Sequence, residues 1–118
     1  MTLIEFLNAR LDEDEAAART AERVVERIAE RTGRPRSEGA GAWTEHGVMG
    51  PHVAFSPARV LAEVEAKRRI VEAWVRADEA AGAYPGTDAG IEMGLHEAIA
   101  LLALPYADHP DYDEEWKP

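Results

Sequence analysis

Ile4, Leu7, Leu11, Asp14, Ala18, Ala21, Val25 and Ile28 recur at alternating spacings of three and four residues. That period is a heptad seam, and it commits the first quarter of the chain to one helix over about 2–32. Thr2 followed by Glu5 reads as a capping box at its start, and Gly33 as the residue that ends it. Asp14 alone breaks the apolar seam. A helix this long exceeds the mean of about 11–12 residues. It is expected to bend near 12–18, or to project and pair with a copy of itself, which would make a homodimer through the first helix.

The rest of the chain follows the same class. Ser56-Pro57 is a helix start, serine as N-cap and proline at the first helical position. The helix it opens is expected over about 57–81, stopped by Gly82, with Val60, Leu61, Val64, Val71, Trp74 and Val75 as its apolar stripe. A third, over about 88–104, carries Ile91, Leu95, Ala98, Ile99 and Leu102, and Pro105 ends it. Between the first two lies GRPRSEGAGAWTEHGVMGPHVAF, rich in glycine and proline. It reads as a loop insert over 33–56, pinned by Trp43, Val48 and Phe55, with a short extended piece at His52–Phe55. The expected fold is therefore all-α: a three-helix bundle forming a single domain over 1–118, with an irregular tail at 105–118.

Composition removes several function classes. Alanine supplies much of the 46% apolar content and aromatics only 7%, which favours helix over sheet. With no cysteine there is no disulfide, thiolate zinc site or thiol nucleophile, and a cytoplasmic location is the expectation. No apolar run reaches the roughly 20 residues that a spanning helix needs, and TLIEFL is interrupted by Glu5 and Arg10. The net charge of −10 sits mostly at the end: residues 77–118 hold ten acids and one lysine. Such a field repels nucleic acid and membrane surfaces and favours a basic partner.

Few residues carry recognisable chemistry. Asp12-Glu13-Asp14-Glu15 places carboxylates on adjacent helical turns, and Asp12 with Glu15 has the spacing of a magnesium pair. No ExxD pair follows on the later helices, and the EF-hand pattern fails. The arginines at 19, 23, 27 and 31 alternate with Glu22, Glu26 and Glu30, a salt-laced solvent face rather than a nucleic-acid surface. His46, His52, His96 and His109 have no metal-site spacing, and no phosphate loop, nucleophile elbow or dinucleotide fingerprint occurs.

The tail poses the main question. Within LLALPYADHPDYDEEWKP, the prolines at 105, 110 and 118 forbid a regular helix, while Tyr106, Tyr112 and Trp116 are set among Asp108, Asp111, Asp113, Glu114 and Glu115. One expectation is a strap whose rings pack on the bundle while its acids reach Arg59, Lys67, Arg68 or Arg69. The other is a hook that offers Tyr106, Asp108, His109, Asp111, Tyr112 and Trp116 to a basic groove.

EFLNARLDEDEAAA (5–18), SPARVLAEVEAKRRIV (56–71) and LLALPYADHPDYDEEWKP (101–118), in that order, resemble a family of small actinobacterial and actinophage proteins classed as a domain of unknown function. The resemblance covers roughly 50 residues by these blocks and leaves 33–55 and 76–95 unmatched. It implies a chromosomal or phage accessory protein with no assigned activity. In that family a cysteine often precedes the LLALPYADHP segment, and histidine and cysteine together suggest zinc. This chain keeps His96 near that place and has no thiolate, which puts a structural zinc site in doubt.

The expected function is thus a non-catalytic, acidic protein-interaction module, without cofactor, binding a host or self protein. Two other classes stay open: a metal-dependent hydrolase using Asp12, Glu15 and histidines such as His96, and an acidic mimic of DNA.

Overall fold

The computed structural model describes residues 1–33, 43–44, 54–83 and 89–118. The expectations placed on Val48, His46 and His52 lie outside the described residues, as does the interior of the 33–56 insert. Three helices carry the fold: α1 (Leu3–Thr32), α2 (Pro57–Ala83) and α3 (Ala89–Ala103). Two short strands, β1 (Trp43–Thr44) and β2 (Ala54–Phe55), pair antiparallel with Trp43 opposite Phe55. Two 3₁₀ turns follow α3, at Leu104–Tyr106 and Glu114–Trp116. The protein is all-α, as the periodicity requires.

α1 and α2 begin where their sequence provides a cap. The backbone N–H of Glu5 donates to Thr2 Oγ1 at 3.1 Å, and that of Thr2 donates back to Glu5 Oε2 at 2.7 Å. This reciprocal pair satisfies two of the donors that a helix start leaves open. It also holds the Glu5 carboxyl below its usual value, first through the Thr2 backbone N–H and then through the Thr2 side chain. At α2 the Arg59 N–H donates to Ser56 Oγ at 3.4 Å, a longer version of the same device, and Pro57 is buried. α1 ends at Gly33, whose φ of 63° is the left-handed value that a helix terminus asks of glycine.

Contacts divide the chain into two compact units, Met1–Leu11 with Glu65–Pro118, and Asp12–Val64. The first gathers the opening turns of α1, most of α2, all of α3 and the tail. Its buried residues are Phe6, Leu7, Arg10, Leu11, Val71, Ile99, Ala100, Ala103 and Tyr112. The second holds the remainder of α1 and the start of α2, with Ala18, Val25 and Val64 buried. On its α1 surface Arg19 bonds Glu15 at 2.7 Å, a glutamate outside the expected Glu22, Glu26 and Glu30 row, and Thr20 Oγ1 donates to the Ala16 carbonyl at 2.9 Å.

α1 is a single helix of 30 residues, and several details differ from the sequence reading. Its seam is buried at Leu7, Leu11, Ala18 and Val25, but Ile28 is 47% exposed. Gly82 does not stop α2, which continues to Ala83; near a helix end, glycine costs only about 1 kcal/mol. On α3 the first turns are open, with Ile91 58% exposed, and burial is confined to Ile99, Ala100 and Ala103. Alanine at 100 and 103 leaves room for neighbouring chain to approach closely, which no count of large apolar residues reveals.

Candidate interaction site on the tail

Backbone bonds three residues apart organise the tail. His109 N–H donates to the Tyr106 carbonyl and Tyr112 N–H to the His109 carbonyl, each at 2.9 Å. Turns of this kind bring side chains at i and i+3 to the same side. Tyr106, His109 and Tyr112 therefore share one side. After a break at Asp113, whose Oδ1 caps the last turn by accepting from Glu115 N–H at 3.0 Å, Trp116 joins them. The acids that alternate with these rings, Asp108, Asp111, Asp113, Glu114 and Glu115, are all exposed.

The inner side closes on Phe6, which is fully buried. Its ring meets Tyr112 edge-on at 5.7 Å, Tyr106 at 6.5 Å, His109 at 5.7 Å and, tilted, Trp116 at 5.2 Å. Tyr112 and Trp116 also meet edge-on, at 5.6 Å. Edge-on pairs set the positive rim of one ring against the negative face of another and add about 0.5–1.5 kcal/mol each to area burial. Leu3, Ala103 and Ala107 complete this cluster.

Arg10 locks the arrangement. Only 7% exposed, its guanidinium lies 5.2 Å from the Phe6 ring centre. Its Nη1 donates to the His109 ring, 2.7 Å from Nδ1 and in contact with Nε2. The Asp111 N–H also reaches Nδ1, at 3.1 Å, so that nitrogen serves as the acceptor on which α1 and the tail converge. A buried cation is tolerated because an aromatic face and an acceptor replace part of its water.

The tail is thus a strap with two faces, aromatic inward and acidic outward. Arg59 and Arg69 bond Glu63 and Glu65 of their own helix, at 2.9 and 3.0 Å, the four-residue pairing that a helix surface favours. Lys117 pairs with Glu114, which holds its ammonium above the usual lysine value.

Of the residues nominated for partner binding, Asp108 and Asp111 lie on the outer face. Tyr112 is buried, and Tyr106, His109 and Trp116 are half-buried. Of the metal candidates, Asp12 is exposed on α1, Glu15 accepts from Arg19, and His96 is exposed on α3 with its ring 6.3 Å from Trp74. Among the described residues no group of three or more His, Cys, Asp or Glu side chains is placed to hold a metal ion. Sequence reasoning missed Phe6 and Arg10. Both lie off the heptad seam, and the only signal was a phenylalanine at the amphipathic start of a helix in a chain short of aromatics.

Comparison with known families settles the relationship. The whole chain, residues 1–118, matches DUF6221, a family of unknown function. The protein belongs to that family. No curated protein and no solved structure matches the chain. The DUF6221 match spans the two compact units alike, including the 33–55 and 76–95 stretches that the three resembling blocks left out. Among the described residues of this DUF6221 protein, no helix is long and apolar enough to cross a membrane.

Proposed function

We propose that the protein is a non-catalytic interaction module that presents an acidic surface to a basic protein partner, as an accessory protein of a phage or of an actinobacterial chromosome. The observation that carries this reading is the two-faced tail. Its rings are spent on Phe6 and Arg10, while Asp108, Asp111, Asp113, Glu114 and Glu115 are held outward on a folded strap. Fixing carboxylates in advance lowers the ordering cost of binding, and their shared sign speeds encounter with a cationic surface.

The test uses the intact chain. Asp108→Asn, Asp111→Asn and Glu114→Gln together remove three outward charges and leave the aromatic face and the Asp113 cap in place. A protein captured by the native chain at low salt, lost from this variant and released as salt rises, supports the reading. Equal capture by both would exclude the tail as the partner surface. A stoichiometric divalent ion in purified protein, with hydrolysis dependent on Asp12 and Glu15, would replace the module by a hydrolase.

A further inference from the structure

At the edge of the acidic face the strap leaves a cleft of about 360 Å³, bounded by Leu3, by His96, Glu97 and Ala100 of α3, and by Glu115 to Pro118 of the tail. It lies entirely within the first compact unit. We infer that this cleft receives one cationic side chain, an arginine or lysine, from the partner protein. The inference deepens the proposed function and rests on it.

Three features of the lining select a cation. The two walls each contribute an exposed carboxylate, Glu97 from α3 and Glu115 from the tail, so a positive group between them meets negative charge on both sides. Trp116 adds an aromatic ring, and tryptophan is the best of the aromatic faces for a guanidinium or ammonium. That ring is already fixed by Phe6 at 5.2 Å and Tyr112 at 5.6 Å, so little side-chain freedom remains to be lost on binding. Lys117 also borders the cleft, but its ammonium is bonded to Glu114 and so partly neutralised. Leu3 and Ala100 offer apolar surface for the methylene stem that arginine and lysine carry below their charge. The volume is at the small end of the roughly 300–1,000 Å³ of ligand sites, which suits one side chain better than a whole cofactor.

The experiment is an NMR titration of the full-length protein with the peptide acetyl-Gly-Arg-Gly-amide, and with the same peptide carrying norleucine in place of arginine. Weak binding of the arginine peptide is expected, with shifts at the Trp116 indole, His96 and Glu97, and no response to norleucine. Glu97→Gln with Glu115→Gln should weaken it about tenfold, the yield of two exposed charge contacts. Asp78→Asn with Glu79→Gln removes equal charge from exposed positions of α2 outside the cleft and should change affinity less than twofold. Equal response to both peptides, equal weakening by both double variants, or shifts confined to Asp108 and Asp111 would overturn the cleft. A partner retained by Glu97→Gln/Glu115→Gln but lost on neutralising the outer tail would reject the cleft and leave the proposed function standing.

Discussion

At the residue scale, Phe6 and Tyr112 make opposite predictions from the same cluster. Phe6 is the ring on which four others close, so Phe6→Ala leaves a cavity under the whole strap. The expected loss is about 3–5 kcal/mol, read by urea unfolding, with Trp116 emission moving to the red. Tyr112 is buried too, but its hydroxyl has no hydrogen-bond partner among the described residues. Tyr112→Phe therefore removes an uncompensated polar group while keeping the ring contacts. It should be neutral or stabilising by up to about 1 kcal/mol in the same measurement. Thr2 and Glu5 give a pH-dependent case. The Glu5 carboxyl is lowered in the folded protein, so its contribution is present above its unfolded value of 4.5 and disappears as pH falls through the lower folded value. Thr2→Ala should cost about 1 kcal/mol at neutral pH. Stability measured from pH 7 down to 3 should show the variant's deficit shrinking in the acid range.

At the scale of elements, each helix was legible because its signals are local. The capping box at Thr2 and Glu5, the Ser56-Pro57 start and the glycine after Thr32 are decided by residues within a turn of one another. The end that moved was one where the local signal is weak, since a glycine near a helix end costs only about 1 kcal/mol and Gly82 stays inside α2. The tail is the instructive case. Its three-residue spacing of Tyr106, His109 and Tyr112 was open to reading, since it matches the period of 3₁₀ turns. What those rings would pack on was not legible, because Phe6 stands a hundred residues away and nothing in a periodicity argument joins them. For the same reason Arg10 passed as an interruption in an apolar run, when it is the cation that the tail closes over. Ending the chain at Leu104 should therefore do more than shorten it. Phe6, Leu3 and Ala103 lose their cover, and circular dichroism should show a lower and broader melting transition. A transition unchanged from the full chain would mean that the strap contributes nothing to the fold.

For the whole molecule, the distribution of charge and the distribution of aromatic residues are one arrangement. The chain has three tryptophans, three tyrosines and two phenylalanines, and four of those eight rings meet in the Phe6 cluster. Concentrating rings there lets the most acidic stretch of the chain be held in a defined conformation instead of remaining a solvated tail. The proposed recognition depends on that coupling, since carboxylates on an unfolded segment would attract a basic partner without positioning it. The most direct test is a nuclear Overhauser measurement between the Phe6 ring protons and the rings of Tyr112 and Trp116 in the full-length protein. Cross-peaks to both, with the Phe6 resonances shifted upfield by the surrounding rings, are the predicted result. Random-coil shifts for Trp116 and no cross-peak to Phe6 would contradict the strap, and with it the fixed acidic face on which the proposed function stands.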